Sequence, residues 1–288
     1  MFILLILCVF AHALPRVDIE HFIKRPELFN ASKPFVITNA MQFPKHIHTK
    51  KWLKKSFGTN IADFFKNNLD KQGSGLFLYE FERALEELHS PQYLHLQLAP
   101  KDWAKLELTI HPWFIRDHWM KWLTPKQLEE FYLKTHWKAM LIGTLGAGMF
   151  RHKDGLRTSS WHLHIKGKKQ WTICKDDTCT VDILKPGDVL FYPKDYYHET
   201  KCLSNPTITI TDTVKTLENE KALTAKLRQQ CTSPNREFDF SASLCDTLEQ
   251  ALRWEIPWRN SSLLQTIEMR ANPDSLGNNY DGRNYITR

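Results

Sequence analysis

Arg151-His152-Lys153-Asp154-Gly155 is the stretch on which the reading of this chain turns. It sets a His-x-Asp pair just beyond an apolar run, Met140-Leu141-Ile142-Gly143-Thr144-Leu145. A further histidine, His198, arrives in Tyr196-Tyr197-His198-Glu199-Thr200. On an extended segment, residues two apart face the same way, so His152 and Asp154 can turn toward one ion. Two imidazoles and one carboxylate on one side of a metal leave the other side open, the donor pattern of non-haem iron(II) sites. The metal ligands expected from sequence are therefore His152, Asp154 and His198.

Around this stretch the pattern is β. Candidate strands run over Ala139–Leu145, Ser159–Ile165, Gln170–Cys174, Thr180–Leu184, Val189–Tyr192 and Thr207–Val214, punctuated by Gly146, Gly148, Gly155, Gly167, Pro186-Gly187, Pro193 and Pro206. Many short strands at this spacing predict a barrel or jelly roll. Pro186-Gly-Asp-Val-Leu-Phe-Tyr-Pro193 reads as a tight turn feeding a buried strand, with His198 beyond its far end. Before the barrel, the spacing predicts helix over 14–33, a short strand over Pro34–Asn39, helices over Lys51–Lys55 and Ile61–Asn68, and a turn at Gln72–Gly75. An amphipathic helix over Phe77–His89 and a strand over Tyr93–Leu98 follow. Helices return over Leu217–Gln230 and Leu244–Trp254, and the tail after Pro257 is rich in Asn, Asp, Ser and Gly.

These segments resemble the JmjC family of the cupin superfamily, and within it the small hydroxylase-like members. The residues that carry the resemblance are Leu141-Ile-Gly143, His152-x-Asp154, Ile165-Lys-Gly-Lys-Lys169-Gln-Trp171, Pro186-Gly-Asp-Val-Leu190, Tyr197-His198 and Thr207-Ile-Thr-Ile-Thr211, with weaker support from Pro34–Ala40 and Tyr93-Leu94. The likeness implies a mainly β fold, a double-stranded β-helix with N-terminal and C-terminal helical extensions. It divides the chain into a leader (1–13), an α+β extension (14–90), the barrel (91–215) and C-terminal helices with a loose tail (216–288). It also implies Fe(II) as cofactor, 2-oxoglutarate as co-substrate and hydroxylation of a protein or peptide side chain. In that family's pattern Lys169 pairs with the distal carboxylate of the co-substrate, Tyr93 is a second donor to it, and Ser160 stands where an asparagine is found. Lys168 competes with Lys169 for its role, and His162 and His164, alternating on one strand, compete as ligands. Met149 replaces a threonine, and a thioether cannot donate a hydrogen bond. That departure leaves open a second reading, a cupin-like binding module that keeps the fold and the metal without turnover.

Composition and termini bound the rest. The length of 288 residues suffices for a sizeable core, and 10 Trp with 17 Phe suit aromatic packing between sheets. The net charge of +7 is spread without a long basic run, so an acidic protein substrate is expected rather than nucleic acid. The apolar segment Phe2–Phe10 is too short to span a bilayer. With Ala11-His12-Ala13 after it, it reads as a cleaved secretory signal with Leu14 as mature start, and hence ER lumen or secretion. No later run reads as a membrane helix. In that compartment Asn30 and Asn260 are glycosylation acceptors. Of the five remaining cysteines, four are expected in two bridges, Cys174–Cys179 spanning a hairpin being one of them. The apolar faces of the last helices, with Leu223, Leu227, Leu244, Leu248 and Leu252, serve either a homodimer or packing on the same chain.

Overall fold

A computed structural model describes residues 13–24, 32–40, 49–65, 76–106, 118–216 and 218–253. The leader to residue 12, both glycosylation sequon asparagines, the turn at 72–75 and the tail lie outside the described residues.

The barrel is built from β6 (Lys138–Gly143), β7 (Ser159–Lys166), β8 (Lys169–Lys175), β9 (Thr178–Leu184), β10 (Val189–Tyr192), β11 (Tyr197–Cys202) and β12 (Thr207–Val214). Four of these pair antiparallel in the order β10-β7-β12-β6. The facing sheet runs β11-β8-β9. Residues 147–152 extend it along β11, through Cys202 N to Ala147 O, Thr200 N to Met149 O, and a reciprocal pair between His152 and His198. Apart from the β8–β9 hairpin, consecutive strands thus alternate between two four-membered sheets, which is a double-stranded β-helix. The alternation of β7 and β12 aims Ser160, His162, His164, Thr209 and Thr211 at one face, and all five are buried. These polar groups share the barrel interior with Trp171, Ile173 and Leu190, while Trp161, Leu163, Ile208 and Ile210 face the cores outside it.

The N-terminal segment lengthens the first sheet on both sides. At one edge β1 (Arg16–Asp18) pairs parallel with β2 (Phe35–Thr38), and β2 pairs with β10. At the other edge β5 (Tyr93–Gln97) lies on β6, followed by β3 (Ile61–Phe65) and β4 (Leu76–Glu80). The helices of this part are α1 (Ile19–Lys24), α2 (Lys50–Phe57), α3 (Phe81–Glu87) and α4 (Pro100–Ala104). Three expectations are corrected here. Residues 61–65 are strand, not helix, because pairing with β4 and β5 on both sides offers the backbone two ladders. The helix expected over Phe77–His89 begins only at Phe81, because Leu76–Glu80 is taken up by that ladder. The helix expected over 14–33 starts at Ile19, after the parallel pairing of Arg16–Asp18.

At the C-terminal end α5 (Pro125–Thr135), α6 (Glu220–Thr232) and α7 (Ala242–Arg253) enclose a core of their own. Leu223, Leu227, Leu244 and Leu248 are buried there against Trp119, Phe131, Trp137 and Leu156. Of the two uses open to these faces, a homodimer or packing on the same chain, the four leucines pack within the chain. Disulfides join Cys174 to Cys179 across the β8–β9 hairpin and Cys231 on α6 to Cys245 on α7, leaving Cys202 as the buried thiol.

The turn before β10 is held by charge. Asp188 is fully buried, and Arg16 reaches it from β1 at 3.1 Å while also binding Asp182 at 2.7 Å. A buried carboxylate stripped of its cation is an uncompensated charge. Arg16→Ala is therefore expected to cost about 3 kcal/mol in urea unfolding, and a loss below about 0.5 kcal/mol would mean that the pair is worth no more than an exposed one.

Candidate metal centre

His152 and His198 are brought face to face by the reciprocal backbone bonds between them, His152 N to His198 O at 3.0 Å and the reverse at 2.8 Å. Their rings lie 4.2 Å apart. The strand carrying His152 approaches β11 closely at Gly148, where a Cβ would stand 1.7 Å from Thr200 O. Any larger residue would push this strand, and His152 with it, off β11. Asp154 follows in extended conformation before a single helical turn at Gly155–Arg157.

The tautomers of both histidines are set by the backbone. Nδ1 of His152 lies 2.7 Å from Phe150 O, and Nδ1 of His198 lies 3.4 Å from Tyr196 O. Each Nδ1 donates to its carbonyl, so each Nε2 lone pair is directed elsewhere. Both Nε2 atoms face Asp154 Oδ1, at 3.8 Å from His152 and 3.5 Å from His198. The other carboxylate oxygen is occupied: Ser160 Oγ donates to Oδ2 at 2.6 Å and Tyr192 Oη at 2.9 Å. One donor atom from each of His152, Asp154 and His198 lies within 4.8 Å of the others. Burial pushes His198 down to about 4, leaving a neutral imidazole at physiological pH. Burial would raise the Asp154 carboxyl, but His198, His152 and the two hydroxyls outweigh it and hold the group below the usual range. Two imidazole nitrogens backed by carbonyl acceptors and one carboxylate oxygen backed by hydroxyl donors fit a divalent cation.

Deeper in the barrel, Lys169 is fully buried on β8 and donates to Tyr93 Oη at 2.6 Å. Tyr93 is seated by Gly143, whose Cβ, were there one, would meet the tyrosine ring at 2.9 Å. Thr200 completes the group. Its hydroxyl accepts from Met149 N at 2.9 Å and bonds to Tyr93.

Ser160, expected at the co-substrate, donates to the Asp154 carboxylate. His162 and His164 are not part of the cluster. His164 Nε2 bonds to Gly167 O and Nδ1 to Thr209, while His162 Nε2 meets Tyr192 Oη at 3.0 Å. Thr200 and Tyr192 went unassigned in the sequence reading, although the period-two spacing of Thr200 from His198 would have placed both on one face. The triad opens into a cavity of about 500 Å³ that Tyr93, Trp171 and Thr200 also line.

The described residues define a double-stranded β-helix with a two-histidine, one-carboxylate cluster inside it. No family model and no curated protein sequence matches the chain. Among solved structures it is similar to the Escherichia coli ribosomal oxygenase YcfD in complex with cobalt and 2-oxoglutarate, at 15% identity and a TM-score of 0.47, over 85% of this chain and 68% of that one. It is also similar to the same protein with cobalt and succinic acid, at 14% identity and a TM-score of 0.44, over the same shares. At identities this low, residue roles do not transfer from one chain to the other.

Two outcomes test the site's own chemistry. Tyr192→Phe removes one donor from Asp154 Oδ2 and is expected to weaken cobalt binding about tenfold in calorimetric titration; unchanged affinity would make that hydroxyl irrelevant to the carboxylate. Burial lowers the Lys169 ammonium from 10.5 to about 8. Being depressed, it weakens the fold while charged, and stability is regained as pH rises through 8 toward 10.5. Lys169→Met is expected to stabilise the metal-free protein at pH 7 by up to about 3 kcal/mol. The gain should shrink between pH 8 and 10.5 in urea unfolding, and a variant no more stable than the parent at pH 7 would contradict the burial argument.

Proposed function

We propose that this chain is an Fe(II)- and 2-oxoglutarate-dependent oxygenase that hydroxylates a side chain of a protein or peptide in the secretory pathway. The observation that carries the reading is the pair of Nε2 lone pairs turned on Asp154 Oδ1, with Oδ2 held back by Ser160 and Tyr192. His152, Asp154 and His198 would hold the iron on one side and leave the cavity side for co-substrate. When bound, iron with 2-oxoglutarate and oxygen supplies the oxidation: the co-substrate loses CO2 and leaves as succinate with one oxygen atom, and the other goes to a substrate C–H bond.

The remaining work falls to the barrel. Lys169 offers its ammonium to the distal carboxylate of the co-substrate, and Tyr93 and Thr200 offer hydroxyls beside it. A buried amine that lacks a carboxylate partner among the described residues is costly unless an anion arrives, and its charge bears on His198, so the two sites are near neighbours. Trp171 and Leu141 on the cavity wall exclude water around the reacting atoms. The surface charge of +7, with Arg151 and Lys153 stacked over Tyr197 beside the triad, favours an acidic substrate. The leader sequence and the two disulfides favour the ER lumen or the exterior. Among the described residues no helix is long and apolar enough to cross a membrane.

The competing reading, a binding module without turnover, is favoured by Met149. Thr200 offers the hydroxyl that Met149 lacks. The two readings separate in anaerobic titration of the protein with Fe(II) and then 2-oxoglutarate. The expected result is the visible charge-transfer band of the chelate, absent in His152→Ala. Co-substrate affinity should be flat below pH 8 and fall by up to about tenfold per unit above it, as Lys169 loses its proton. Iron bound without a band would leave the binding module as the better account.

A further inference from the structure

A second cluster of donors lines the same cavity and has no part in the chemistry above. Asp63 on β3 stands directly across the ladder from His95 on β5, its Oδ2 3.8 Å from His95 Nδ1. Tyr93, His95 and Gln97 alternate to one face of β5, and Leu94 and Leu96 to the other, in the core. One face of a single strand therefore runs from the buried lysine pair outward to this cluster. His136 joins from the C-terminal end of α5, with its ring 4.9 Å from that of His95. It holds φ 54°, ψ 36°, the left-handed position where glycine or asparagine is the usual occupant. One donor atom from each of Asp63, His95 and His136 lies within 4.8 Å of the others.

We infer that Asp63, His95, Gln97 and His136 form a second divalent-cation site, suited to zinc, in the wall of the cavity beside Tyr93. Gln97 is the telling residue. Its Nε2 lies 2.9 Å from His136 Nε2, and the same side chain bonds to the Asp63 carboxylate. The amide nitrogen thus sits between two acceptors, the place a cation would take. Rotating the amide by half a turn brings Oε1 there instead. Two acceptors and a carboxylate would then repel one another unless a cation lay between them. The rotated set is two imidazole nitrogens, one carboxylate oxygen and one amide oxygen, four donors of the types that borderline cations accept. Side-chain movements of about an ångström bring such donors to bonding distance. Desolvation lowers both imidazoles, His95 in the wall and His136 at its more exposed rim, which favours the neutral form that ligands need. A cation here would tie the end of α5 to the two edge strands and rigidify the wall that carries Tyr93.

The test is a count of zinc. The full chain is stripped with chelator, titrated with Zn²⁺ alone in a calorimeter, and its bound metal measured by atomic emission after gel filtration. Two equivalents are expected in the parent, one in His136→Gly, one in Asp63→Asn and one in His152→Ala. His136→Gly suits the left-handed backbone, so it removes the imidazole without asking the helix end to refold, and circular dichroism checks that it does not. A parent that binds one equivalent, lost only in His152→Ala, would overturn the second site. So would two equivalents that persist in both His136→Gly and Asp63→Asn. If His152→Ala keeps two while His136→Gly drops to one, the triad fails as a metal centre and the second site stands.

Discussion

The reciprocal hydrogen bonds between the backbones of His152 and His198 are the constraint on which the site rests. They join two segments far apart in sequence and put two imidazoles face to face. Everything nearby serves that pairing. Gly148 lets the strand before His152 lie against β11, and the carbonyls of Phe150 and Tyr196 select the tautomers that turn both Nε2 atoms inward. Asp154, two residues on, needs only Ser160 and Tyr192 to be held in place. Backbone bonding to β11 thus fixes the His152 segment, although His152 itself lies outside the named strands.

The barrel partly inverts the usual arrangement of a small protein. Its interior mixes histidines, threonines, tyrosines and a lysine with Leu141, Trp171, Ile173 and Leu190, and the larger hydrophobic cores lie outside it, between the sheets and the helices. Lys169 shows what this costs. Its ammonium is buried against a phenol with no carboxylate among the described residues to balance it, so the fold gives up stability to hold a charge there. The aromatic cores on the outer faces and the leucine-rich C-terminal helices supply stability that the interior does not.

Much of this was legible in the chain. The strands carrying Ser160 and Tyr192 lie where their apolar residues and flanking turns place them, and the structure brings His152, Asp154 and His198 together and sets Lys169 beside Tyr93. The strand that carries His198 was not legible. Its inward positions are His198, Thr200 and Cys202 and its outward ones Tyr197, Glu199 and Lys201, so hydrophobicity has no period to report. The same inversion concealed Thr200. Ile61–Phe65 and Leu76–Glu80 were misread because local apolar spacing fits a helix as well as a strand, and only the ladders they join distinguish the two.

Sequence by itself determined the alternation of short strands, the donor types and their order along the chain, because these follow from local period and side-chain chemistry. Tertiary structure alone decided which donors meet. It set Ser160 against Asp154, gave His164 to a turn, bonded the Thr200 hydroxyl to the backbone of Met149, and gathered Asp63, His95, Gln97 and His136 from three elements. Those outcomes depend on register between strands remote in sequence and on where a helix ends, and neither is encoded in any one segment.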